Sequence, residues 1–114
     1  MSVQILSLAT GQLSSTSQTA IYTSPVGPPS LTSIVKSIRL VNTTSSPVTV
    51  NLYISKLTPP STYDTRHLIP LSMSVSGNGA VIDDQEITMA SGDIIKGDAS
   101  VNNVVDFVIS GIQR

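Results

Sequence analysis

The chain has 114 residues, enough for one domain with a single hydrophobic core. Six Lys and Arg against seven Asp and Glu leave a formal charge of −1, which excludes the bulk basic surface that nucleic-acid phosphates require. The absence of cysteine excludes disulfides, zinc-thiolate centres and a thiol nucleophile together.

Only 11% of the residues are charged, against about 25% in a typical soluble domain, while 39% are hydrophobic. Ser and Thr are abundant, so hydroxyls and amides must cover most of the surface. A surface with so few solvating charges suits a subunit that hides part of itself against neighbours. The opening "MSVQILSLATGQ" lacks the basic start and long apolar core of a signal peptide, and no apolar run approaches the 18 residues of a membrane span. The chain reads as made and used in soluble form, with no membrane and no nucleic acid among its partners.

In chain order, "VQILSLAT" and "TAIYTS" read as strands and "SPVGPPS" as a Pro-rich link. The prolines also allow residues 1–30 to act as an extended N-terminal arm that adds a strand to a neighbouring sheet edge. From Ile34, an alternating run through Asn42 is apolar on much of both faces, as a well-covered strand requires. In "VTVNLYIS", Val48, Val50, Leu52 and Ile54 point one way while Thr49, Asn51, Tyr53 and Ser55 point the other, so one face is buried. The polar "NTTSSP" between these runs predicts an antiparallel hairpin.

"KLTPPSTYDTRH" argues against regular structure and predicts an irregular crossing between sheets. "HLIPLSMSV" alternates with Ile69, Leu71, Met73 and Val75 on the apolar side, and Pro70 confines it to an edge or a bulge. "SGNG" is a turn signal, and "AVIDDQEITM" reads as a strand broken by its polar centre. Strands within "DIIKGDAS" and "VVDFVISGI" close the chain. No window carries helical period with caps. About eight short strands joined by Gly, Pro, Asn and Ser turns predict an all-β, antiparallel β-sandwich or jelly-roll-like fold spanning 1–114.

The acidic residues Asp83, Asp84, Glu86, Asp93 and Asp98 pose the main chemical question. Gly92-Asp93 and Gly97-Asp98 each adjoin an apolar segment, and Gly-Asp supplies positive φ with a side chain that bonds local backbone, so the spacing predicts turns. A calcium site is the alternative, because these carboxylates are hard oxygen ligands, but the Asp-x-Asp-x-Asp-Gly spacing of an EF-hand is missing. "KGD", Lys96 to Asp98, matches a short adhesion tripeptide, a signal too brief to carry an argument.

His67 is the only histidine, so a Ser-His-Asp arrangement must use it, with Asp64 three positions away; no Gly-x-Ser-x-Gly elbow accompanies it. Paired carboxylates in "DDQE" raise glycoside hydrolysis, yet Phe107, Tyr22, Tyr53 and Tyr63 are the whole aromatic complement for stacking sugars. No Gly-rich loop leads from a strand into a helix to cradle a nucleotide. The expectation is a non-enzyme, with no catalytic, cofactor-binding or metal-binding residue and no cofactor.

The order "SIVKSIRLVNTTSSPVTVNLYIS", "RHLIPLSMSV", "EITMASGDIIKGDAS" and "VDFVISGIQR", covering Ser33 to Arg114, resembles small β-sandwich structural proteins of tailed bacteriophages. The shared marks are a strand running into "VNTT", a strand with a central Pro, a "GD" turn before an exposed strand and a terminal "ISG" segment. The resemblance implies a virion subunit, decorating the capsid or placed on the tail. Its partners would be itself, as a homotrimer or multi-copy assembly, and other virion proteins, with assembly in the host cytoplasm. A carbohydrate-binding or host-adhesion module and a small hydrolase are the competing readings; scarce aromatics weigh against the first and the lone histidine against the second.

Overall fold

The computed structural model describes residues 6–27, 31–58 and 61–113, and all the regular structure among them is β. The strands are β1 (Leu6–Gln12), β2 (Thr19–Thr23), β3 (Ser33–Asn42), β4 (Val48–Thr58), β5 (Thr62–His67), β6 (Met73–Val75), β7 (Ala80–Asp83), β8 (Ile87–Met89), β9 (Ile94–Ala99) and β10 (Val105–Gln113). One sheet runs β1–β10–β3–β7, with β8 continuing the β7 edge along β3. The other runs β2–β9–β4–β5, with β6 continuing the β5 edge along β4. Each broken edge forms one line of strand, so the two sheets together hold the eight lines that the turn spacing predicts.

Six of the nine connections between the described strands cross from one sheet to the other, while β4, β5 and β6 follow one another in one sheet and β7 and β8 share one edge of the other. This is the connectivity of a double-sheet jelly roll. The core lies between the sheets, where Val35, Ile38 and Leu40 of β3 and Phe107 and Ile109 of β10 join Val50, Leu52 and Ile54 of β4 and Ile95 of β9. The predicted inner face of β4 forms, with Val48, Val50, Leu52 and Ile54 all buried, but Tyr53 and Ser55 on the other face are buried as well, Tyr53 against the His67 ring and Ser55 bonded to Thr65. Each fully buried side chain of this size contributes about 1.5–3 kcal/mol relative to exposure.

Two predicted connections are exchanged in the structure. The β3–β4 segment is a crossing between sheets and not a hairpin, since β3 pairs with β10, β7 and β8 while β4 pairs with β9, β5 and β6. The cause is Asn42, fully buried at the end of β3. Its amide donates to the carbonyls of Ser46, Val75 and Ser76, and its Oδ1 accepts from the Thr44 N–H and hydroxyl. These bonds supply the exit turn with side-chain partners in place of a hairpin ladder. The predicted irregular crossing "KLTPPSTYDTRH" is instead a hairpin, with β4 and β5 in register from Tyr53↔His67 to Thr58↔Thr62. Residues 59–60, between β4 and β5, lie outside the described residues.

Smaller differences follow from local geometry. Of the predicted strand through Ile69–Val75, only β6 is regular; Ile69 turns into the core while Ser72 takes φ 52°, so the edge is interrupted around Pro70. The "SGNG" turn forms, with Asn78 at φ 58°. Within the 1–30 stretch read as an arm, β1 and β2 are integral members of the two sheets, paired with β10 and β9; residues 1–5 and 28–30, which include part of the first predicted strand and of the Pro-rich link, lie outside the described residues.

Candidate functional site

The five carboxylates of the predicted acidic cluster are dispersed by the fold. Asp93 follows a turn at Gly92, whose φ is 90°, and is almost fully buried. Its Oδ1 accepts the Leu57 N–H at 2.8 Å, its Oδ2 accepts the Ala90 N–H at 2.9 Å, and Lys56 Nζ lies 3.0 Å from Oδ2. Lys56 Nζ also donates to the Thr88 carbonyl at 2.6 Å, tying β4 of one sheet to β8 of the other. The turn reading therefore holds at Gly92-Asp93, with the carboxylate reaching beyond its own turn to a distant strand.

Gly97-Asp98 is not a turn, because both residues lie within β9. A Cβ on Gly97 would stand 3.0 Å from Leu13 Cδ2 and 3.3 Å from the Asn51 carbonyl, so the glycine makes room for the buried Leu13. Asp98 accepts the Gln18 N–H at 2.9 Å and the Asn51 side-chain amide at 2.8 Å. Asp83, Asp84 and Glu86 lie where β7 breaks into β8, with Asp83 receiving the Gln85 N–H and Glu86 paired to Lys36 at 3.1 Å. Among the described residues, no three His, Asp or Glu side chains converge as a metal would require.

His67 and Asp64 are not brought together. They lie three residues apart on β5, on opposite faces of the strand, and Asp64 pairs with Arg66. The His67 ring instead packs on its cross-strand neighbour Tyr53, with centroids 4.9 Å apart at 46°. A groove of about 420 Å³ opens where the broken edges face each other, with Ile69, Met73, Val81 and Ile87 in its lining and His67, Asp83 and Asp84 beside them. Its lining contains no hydroxyl or amine side chain, and its polar groups are the His67 imidazole, the Asp83 and Asp84 carboxylates and the Gln85 amide.

The sharper feature is the outer face of the second sheet, which the scarcity of aromatics concealed. Register places His67, Tyr53, Lys96 and Ala20 in one row across β5, β4, β9 and β2, with Asn51 and Asp98 in the adjoining row. Tyr63, 42% exposed, stands on the same face with the Lys96 ammonium 5.9 Å from its ring centroid. Burial pushes the Tyr53 phenol above its ordinary pKa, and the charge and hydrogen bonding of the Asp98 carboxylate add to the effect. Rings, an ammonium, amides and hydroxyls thus share one sheet face. The period-two spacing of Tyr63 and His67 was the available signal, since it sets both on one side of a strand.

No protein-family model and no curated protein matches the sequence. Among solved structures, the chain is similar to one in the structure of infectious bursal disease virus, Gx strain, with a TM-score of 0.52 and 12% identity. The likeness covers 98% of this chain and 32% of the other, so the chain spans about a third of the length of the viral chain it matches. At that identity the likeness is one of fold.

Proposed function

We propose that the chain is a non-enzymatic structural subunit of a virion, and specifically of a tailed bacteriophage, placed on the head or the tail. The observation that carries this reading is the jelly-roll fold, similar over 98% of the chain to a chain from a virus structure. The tailed-phage part of the proposal rests on the motifs between Ser33 and Arg114. The low charge and the Ser/Thr-rich surface support work in many copies, as a homotrimer or larger assembly bound to other virion proteins. Assembly in the host cytoplasm follows from the same reading. Quantitative mass spectrometry of purified virions tests it: the chain is expected at a fixed stoichiometry of many copies per particle, and its loss on purification would contradict the proposal.

A second reading, a carbohydrate-binding or host-adhesion module, is favoured by the outer face of the second sheet. An exposed ring at Tyr63, a cation at Lys96 and the His67 imidazole are groups that stack on and hydrogen-bond to sugars. A glycan array separates the two readings. Binding that is lost in both Tyr63→Ala and Lys96→Ala supports adhesion, and an array without signal removes it.

A further inference from the structure

The outer face of the first sheet is built differently from that of the second. Register sets Gln12, Asp106, Val41 and Ala80 in one row across β1, β10, β3 and β7, and Thr10, Val108, Arg39 and Ile82 in the next. Their chain neighbours on β3 and β10, Ile38, Leu40, Val105, Phe107 and Ile109, all point into the core, so these eight side chains form the outward surface. Ile82 is 55% exposed and Val108 38%. At the centre, Arg39 is exposed and makes no ion pair or hydrogen bond among the described residues. Among the described residues, Asp106 has the Gln12 amide at 3.0 Å as its side-chain partner and no cation.

Four central residues form a quadrilateral. Arg39 lies opposite Val108 and Val41 opposite Asp106, so the charges occupy one diagonal and the valines the other. Along a strand, positions two apart are separated by about 6.8 Å, and neighbouring strands by about 4.8 Å. A two-fold axis in the plane of contact, perpendicular to the charged diagonal, carries the Arg39 position onto that of Asp106. The valines lie near that axis, so each meets its own counterpart. This is the self-complementarity of an isologous contact, in which residue i touches j and j touches i.

We infer that this face binds a second copy of the chain through a two-fold contact, with Arg39 of each copy against Asp106 of the other and the exposed Val108 and Ile82 covered. The inference rests on the reading that the chain works in copies, and names a surface that pairs two of them; a homotrimer would need a different, heterologous contact. Arg, whose planar fork pairs with a carboxylate bidentately, is suited to such a site, and a central Arg ringed by apolar groups is a common anchor of interfaces. Four lines at about 4.8 Å spacing and a nine-residue β10 at about 3.3 Å per residue give a face of roughly 570 Å² per copy. That is below the roughly 800 Å² per partner of a stable standard interface. The free chain should therefore dimerise weakly, and more firmly where an array links many such contacts.

Charge exchange tests the contact by sedimentation equilibrium on the whole chain over a wide concentration range, with thermal melts to verify that each variant folds. Wild type is expected to show a concentration-dependent dimer. Arg39→Asp and Asp106→Arg alone should each weaken association at least tenfold, because like charges then meet twice. An equimolar mixture of these two variants should recover it, since a heterodimer restores both pairs, and the double exchange R39D/D106R should recover it within one chain. A monomeric wild type, or single variants that associate like wild type, overturns the contact, as does a mixture with no recovery. Association that none of the variants alters would overturn this face while leaving work in copies intact, and the virion stoichiometry reports separately on the wider role.

Discussion

The Asp93 carboxylate accepts the backbone N–H of Leu57 across 2.8 Å, although the two residues are 36 positions apart in the chain. With the Ala90 N–H as its second donor and Lys56 as its cation, Asp93 holds the end of β4 against the turn that leads into β9. Asp93→Ala leaves two backbone donors without their partner, each costing about 1–3 kcal/mol where water is excluded. The expected loss is about 3 kcal/mol in urea unfolding. A chelator should leave the wild-type midpoint unchanged, and a drop that calcium restores would show that the carboxylate serves a cation instead.

Val50 is fully buried near the start of β4. Val50→Asp puts an unpaired carboxylate between the sheets, at a cost of several kcal/mol against a total stability of about 5–15 kcal/mol for a domain. The variant should give the circular dichroism of an unfolded chain, and wild-type melting would contradict the sandwich.

The crossing from β3 to β4 packs tightly against the turn before β7. A Cβ on Gly77 would stand 2.1 Å from the Ser45 carbonyl oxygen and 2.4 Å from its carbon, a backbone clash that no rotamer relieves. Gly77→Ala should therefore lower stability by about 1–3 kcal/mol through forced backbone movement. A neutral result in chemical denaturation would mean that the two loops are not in contact.

Tyr53 makes stability fall at alkaline pH. Its folded-state pKa is raised, so above about pH 10 the unfolded chain has released a proton that the folded chain keeps. The contribution is complete below the unfolded value and is lost as pH rises through the folded one. Urea midpoints measured from pH 9 to 11 should fall more steeply for wild type than for Tyr53→Phe. Parallel slopes would contradict the buried, Asp98-adjacent phenol.

What the sequence made legible was whatever depends on alternation. The alternation of Val48 to Ser55 identified β4 and its inner face, though not the burial of Tyr53 and Ser55 on the other, and the polar break in "AVIDDQEITM" separated β7 from β8. Pairing was less legible, because a polar loop between two strands reads the same whether it turns within a sheet or crosses to the other. Asn42 decides the matter through bonds to Val75 and Ser76, more than 30 positions away, and no local pattern encodes them. The Gly97-Asp98 misreading has the same origin: the glycine answers to Leu13, a contact across the fold. The aromatic and basic groups on the outer face of the second sheet were scattered along the chain and met only through register.

Electron cryomicroscopy of the virion decides whether the chain is one of its subunits. Density is expected in which a ten-strand jelly roll of this topology fits at repeated, symmetry-related positions on the head or tail, with the strands β3 to β10 traceable by side chain. A complete particle map in which every protein density is assigned and none accommodates this chain would contradict it.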